Sequence, residues 1–366
     1  MNLDGSPIMP VVYLLTFFKL RDSARAWLSK PKVDVDCISQ KRFTALWLAC
    51  RLGFDDMVAL LLEYNANPLR EDSTRRFCLA GAAFYGHIQC VKSLLAYKPE
   101  DKIGEQMIRQ QNWYGRSVLT DAAVSGHIEV VKTLLEHMKS MEDRADVIFH
   151  QAENGNAILH ETVLHDAHGA IDFLLGLPEA SALVGQHENR WGDSPAHRAV
   201  TLCRYKCLET LLKIDTKMQL DTKQRTGKTP LSVAVSNLAD SHLRITELLL
   251  SLGSDPSIKD NDGMTALHYA AFCGRPRQVE RLLKDQRCCE LLDTKDNRVL
   301  TPLEIAWKDR RNDWGGVVRF LKEAEARGPG FIHSIRIGEQ QFIFDHSDPV
   351  HLLSEKIPEN VKLPIP

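Results

Sequence analysis

Hydrophobic positions along this chain recur in separate blocks that share one pattern. "TALWLACRLGFDDMVALLLEYNANP" (Thr44 to Pro68), "SVLTDAAVSGHIEVVKTLLEH" (Ser117 to His137) and "TALHYAAFCGRPRQVERLLKD" (Thr265 to Asp285) align without gaps. Each opens on Thr or Ser, carries a small pair five and six residues on, glycine at nine, and Leu-Leu at seventeen and eighteen. The pattern predicts two short amphipathic helices joined at the glycine. The same frame catches Phe77 with Ala82-Ala83, Gly86 and Leu94-Leu95, Ala157 with Leu174-Leu175, and Ser194 with Ala199 and Leu211-Leu212. Thr229 and Thr301 open two further blocks whose second helices start late, and a degenerate block begins near Pro10.

The starts near 10, 44, 77, 117, 157, 194, 229, 265 and 301 define nine units over residues 10–321, after an N-terminal arm at 1–9. A hairpin this small cannot bury its apolar face alone, so the units are expected to stack into an all-α solenoid. Capping Thr or Ser residues, prolines 195, 230 and 302 at helix starts, and glycines 53, 86, 126 and 274 at helix ends fit that reading. Asp166, Cys203, Asn237 and Arg310 stand where the turn glycine is expected. Extra residues around Lys98 to Gln110 and Met138 to Gln151 predict longer loops or an added helical turn.

"TPLSVAV" (Thr229 to Val235), "TALHYAA" (Thr265 to Ala271), "YGHIQCVKSLLA" (Tyr85 to Ala96), "SGHIEVVKTLLE" (Ser125 to Glu136) and the junction "LLLSLGSDPSIKDNDGMTALH" (Leu248 to His268) resemble the ankyrin repeat family. The resemblance covers most of the chain. It implies an ankyrin-repeat solenoid of stacked helix-turn-helix units with short fingertip turns. After Leu321 the frame stops, and residues 322–366 are expected to form a cap or tail. Within it "GFIHSIRIGEQQFIFDHSD" alternates apolar and polar residues, predicting a small β-hairpin at 331–345 that would cover the last repeat.

Composition narrows the function classes. The formal net charge of −2 argues against nucleic acid as partner, since that partner calls for a cationic excess. "VVYLLTFF" is too short to span a bilayer and lacks the flanks of a secretion signal. Nine cysteines without a C-x-x-C pair suggest reduced thiols, hence a cytoplasmic or nuclear protein. Cys50, Cys90 and Cys207 fall at core positions, and Cys203 of "CRYKC" approaches the surface. No cofactor motif is present, and a capped solenoid needs no second copy, so a monomer is expected.

"HETVLHDAHG" (160 to 169) has the residue types of a metal or acid–base site. His160 and His165 stand five apart, ~140° around a helix at ~100° per residue, so they cannot share a metal. "HETVLH" is also one residue too long for the H-E-x-x-H zinc motif, and no metal is expected. The resemblance implies that His160, His197 and His268, each at the fourth position of its unit, bond backbone and hydroxyl groups across the junction. His165 lies just before the turn and is left available.

The resemblance also implies where partners bind: at the fingertip turns and on first-helix residues just before the turn. The turns contribute Lys41, Thr74, Trp113, Tyr114, Arg116, Asn154, Arg190, Trp191, Asp193, Lys228 and Arg298. The first helices contribute Arg51, Phe84, Tyr85, Leu164, His165, Phe272 and Cys273. Large aromatics beside arginines suit interface anchors, although each ring could instead fold back on an adjacent insertion.

Two readings follow. One is an interaction module, an adaptor or scaffold gripping a protein or peptide in its groove. The other is an enzyme using His165 as acid or base, with Asp193, Glu153 and Arg116, on a small apolar molecule between groove and loops.

Overall fold

The computed structural model describes residues 10–39, 42–98, 102–138, 144–178, 183, 188–213, 220–237, 239, 241–309, 312–327, 333–337 and 340–344. Nine helix pairs match the nine expected units. They are Val11–Phe17 with Arg21–Leu28, Ala45–Leu52 with Asp55–Glu63, and Cys78–Phe84 with Ile88–Leu95. Val118–Val124 pairs with Ile128–Met138, Ile158–Leu164 with His168–Leu175, and Pro195–Thr201 with Tyr205–Leu212. The last three are Pro230–Ser236 with Ser241–Ser251, Ala266–Phe272 with Pro276–Leu282, and Pro302–Asp309 with Trp314–Arg327. We call the members of each pair the inner and outer helix.

The helices divide between two compact units, Met1–Pro230 and Leu231–Pro366. Within the first, inner helix packs on inner helix and outer on outer from one repeat to the next. Small residues allow the inner row to close up: Ala49, Ala82, Ala83, Ala122, Ala123 and Ala199 are fully buried. Leu61, Leu94, Leu134, Leu174 and Leu211 of the outer row are buried as well. Each such side chain contributes roughly 2 kcal/mol when sealed from water. In the second unit Ala266–Phe272 packs on Pro302–Asp309, and Pro276–Leu282 on Trp314–Arg327.

The inner helices end in left-handed residues where the sequence places them. Gly53, Gly86, Gly126 and Gly274 have φ of 72°, 77°, 76° and 62°. Asp166 and Cys203 take the same conformation at 60° and 56°, whereas Asn237 does not. Arg310 lies outside the described residues. The two expected insertions hold short helices, Ile103–Arg109 and Arg144–Ile148. Cys288 is buried in the short helix Gln286–Cys289.

Near the C-terminus, strands His333–Ile337 and Gln340–Phe344 pair antiparallel, His333 opposite Phe344. That they cap the last repeat is not shown, and residues 328–332 and 345–366 around them lie outside the described residues. No helix among the described residues is long and apolar enough to cross a membrane.

Candidate functional site

Five of the described fingertip turns share one side-chain device, which the turn at Ala152 lacks, being held by Ala152 N–H to Asn156 O and Gly155 N–H to Ala152 O. Where the turn starts, an Asp or Asn carboxyl or amide oxygen accepts the backbone N–H groups two and four residues on. Asn112 Oδ1 receives Tyr114 (2.9 Å) and Arg116 (3.1 Å), and Asn189 Oδ1 receives Trp191 (2.9 Å) and Asp193 (3.0 Å). Asp72, Asp260 and Asp296 do the same in their repeats. The two residues after that opening position form the crest, and a left-handed residue closes it. At Gly155 that residue has φ 76°, and a Cβ there would come within 2.7 Å of the Arg190 nitrogen in the next turn. Glycine is thus required by conformation and by space at once.

Neighbouring crests are tied into a ladder. Trp113 N–H donates to Thr74 O (3.3 Å), Glu153 to Tyr114 O (3.2 Å), and Arg190 to Asn154 O (3.1 Å). The crests of repeats three to six therefore form one continuous row.

Three histidines each lock a turn to the next. His160 Nε2 donates to Asp193 O at 2.8 Å, and its Nδ1 accepts from the Ala157 N–H at 3.2 Å. His197 Nε2 donates to Lys228 O at 2.9 Å while Nδ1 accepts from Ser194 N–H and hydroxyl at 3.2 and 2.8 Å. His268 repeats this with Leu300 O and Thr265. Burial pushes His160 down to about 4, so it stays neutral and keeps one donor and one acceptor nitrogen.

A second buried layer joins repeats three to five. Arg116 pairs with Glu161, whose other oxygen accepts from Asn156 Nδ2 at 2.7 Å. Arg76 lies 3.9 Å from Asp121, which is 1% exposed. Burial raises the Asp121 carboxyl to about 6 against the pull of Arg76 and Arg116, with Glu161 adding to the rise. Sequence reasoning missed Asp121 and Glu161. Both sit at the fifth position of their units, one residue past the histidine position, and that shared register was the available signal.

Of the residues expected for acid–base chemistry, Arg116 and His165 come together, whereas Asp193 does not join them. Arg116 is not a crest residue; its side chain turns inward to Glu161 and donates to His165 Nε2 at 2.8 Å. His165 is exposed but serves as acceptor, and burial followed by the Arg116 charge lowers its pKa. The Asp193 carboxylate lies 3.9 Å from Arg198 instead of joining His165, because its turn belongs to the following repeat.

The crest itself carries the aromatics. Trp113 and Trp191 are each 59% exposed and Tyr114 is 69% exposed, so the rings project into solvent and do not fold back. Arg190 and Glu153 are exposed beside them, and Asn154 is half-buried. Among the first-helix residues, Arg51 lies over the rings of Trp47 and Tyr85, both at 5.5 Å. Tyr85 is exposed, and Phe84 and Leu164 are half-buried. Phe272 and Cys273 are half-buried in the second unit, and Lys41 lies outside the described residues. The sequence reading also missed Phe17 and Phe18 of "TFFKL", which are well exposed at the positions matching Arg51 and Leu52. The Cys90 and Cys207 thiols are poor nucleophiles, because burial pushes both up to about 12.

A family model described as ankyrin repeats in three copies matches residues 16–107, 69–145, 159–260, 215–294 and 239–327. NF-kappa-B inhibitor delta of Mus musculus is 35% identical over 128 residues, 34% of this chain and 36% of that protein. Transient receptor potential cation channel subfamily A member 1 of Homo sapiens is 25% identical over 331 residues, 83% of this chain and 26% of that protein. The chain thus spans little more than a third, or less, of these relatives. A crystal structure of an ankyrin repeat domain from Acinetobacter baumannii superposes with a TM-score of 0.44 at 20% identity, over 55% of this chain and 95% of that one.

Proposed function

Since the chain belongs to the ankyrin repeat family, whose members are generally protein-interaction modules, we propose that it is an adaptor that holds a partner protein or peptide on the crests of repeats four to six. The observation that supports this most strongly is the exposure of Trp113, Tyr114 and Trp191 in one hydrogen-bonded row. Fingertip crests need only short polar residues for their turns, so three large rings there have no structural task. Rigid aromatics with arginine beside them concentrate binding energy at interfaces. The inner-helix ends around Arg51, Tyr85 and His165 extend the same face within Met1–Pro230.

The test is face-directed capture. Wild type and Trp113→Ala/Trp191→Ala are used as bait against extract of the native host. The double variant should lose the partners that wild type holds while unfolding at the same urea concentration. Retention of every partner by the double variant would remove this face from the function.

A further inference from the structure

We propose that the segment seated on this face is an extended peptide read in a fixed order: an apolar side chain at Trp113-Tyr114, a side chain without negative charge at Glu153-Asn154, and an apolar residue with a neighbouring carboxylate at Arg190-Trp191. The proposal rests on the interaction-module reading and specifies its partner.

The order comes from the ladder. The bonds Tyr114 O to Glu153 N and Asn154 O to Arg190 N hold three successive crests side by side, so what each offers is presented in sequence. The first crest offers two exposed rings and no charge. The second offers the exposed Glu153 carboxylate, which repels an acidic side chain. The third offers the exposed Arg190 guanidinium beside the Trp191 ring, a pairing that accepts a carboxylate and an apolar side chain together.

The spacing follows from the stack. Packed helices stand ~8–10 Å apart, so the first and third crests are separated by roughly 16–20 Å. A strand rises ~3.3 Å per residue and covers that span in about five to six residues, of which six, an even number, returns both anchors to one face. A helix would need about eleven to thirteen residues and would lay a continuous side over the middle crest. That crest carries Glu153 and Asn154 where a helix would need an apolar floor.

A random linear peptide library displayed against the full chain tests the assignment. Enriched sequences should carry two apolar residues about six positions apart, with Asp or Glu beside one of them. Trp113→Ala/Tyr114→Ala should abolish selection only for the apolar residue that lacks the acidic neighbour, and Arg190→Glu should switch the preferred charge from acidic to basic. Enrichment without this spacing, with helical spacing, or indifferent to those variants would overturn the proposal. In parallel, a photo-cross-linking residue placed at Tyr114 reports protein contact in cells. Cross-linked protein without peptide enrichment would defeat the peptide assignment and leave the interaction-module reading standing; no cross-link and no enrichment would defeat both.

Discussion

The bases of the fingertip turns and their crests follow opposite rules. At the base, Asn112, Asn189, Asp72 and Asp296 are buried and bonded to two backbone N–H groups each, with His160 and His197 buried beneath. At the crest the residues meet solvent, and their chemistry changes freely. Three neighbouring crests of the first unit read Trp113-Tyr114, Glu153-Asn154 and Arg190-Trp191, the middle one without an Asx at its base; in the second unit Asn261-Asp262 and Asn297-Arg298 follow Asp260 and Asp296. Folding is specified by the base and recognition by the crest, so the two can be altered separately.

The largest effect should come from the base. His197→Ala removes bonds to Lys228 O and to Ser194 and leaves a cavity, which should cost about 3 kcal/mol in urea unfolding. A loss well below ~1 kcal/mol would mean that the junction does not depend on this histidine. Gly155→Ala should cost about 2 kcal/mol, because the residue is left-handed and its Cβ would displace the Arg190 nitrogen. A neutral outcome would break the link between crest spacing and glycine.

The buried charges sharpen the comparison through pH. His160 is neutral in the fold down to about 4, against an unfolded value of ~6.5. Its share of stability is complete above pH ~6.5 and drains as pH falls towards 4, since only the unfolded chain takes up the proton there. Asp121 acts with the opposite sign. Its carboxyl is raised from 3.8 to about 6, so its ionised form burdens the fold at neutral pH, and the burden begins to lift as pH falls through 6 and is gone below 3.8. Asp121→Asn should therefore stabilise by about 1 kcal/mol at pH ~7.5 and by almost nothing at pH ~5. The gain is smaller than the full shift, because an amide NH₂ facing Arg76 takes part of it back. Equal stabilisation at both pH values would show that the Asp121 carboxyl is ionised in the fold throughout this range and that burial does not raise its pKa. The smallest effect belongs to the crest: Trp113→Ala/Trp191→Ala should change unfolding by less than about 0.5 kcal/mol. A larger loss would mean that the rings support the turns after all.

The repeat frame was legible because each unit must bury the same positions. Thr44, Ala122-Ala123, Gly126 and Leu134-Leu135 occupy equivalent slots, and the helix pairs fall where those slots predict. The fourth-position histidines were legible for the same reason, with bonds to the next turn that the resemblance implies. The roles of Arg116 and Asp193 were not. Both follow a crest at the same offset, yet Arg116 reaches Glu161 in the following repeat and Asp193 lies nearest Arg198 in its own. Pairing of this kind depends on which charge the adjacent helix presents, and local spacing says nothing about it.

By itself, then, the order of residues determined the number of helical hairpins, the glycines that end them and the aromatics at their crests. Those features depend on local conformation and on which side of a helix is oily. Only tertiary structure decided that the crests join into one row, that His165 accepts from Arg116, and that Asp121 is buried with a raised pKa. These outcomes arise between groups some forty residues apart, where distance and desolvation in the packed state set the energy.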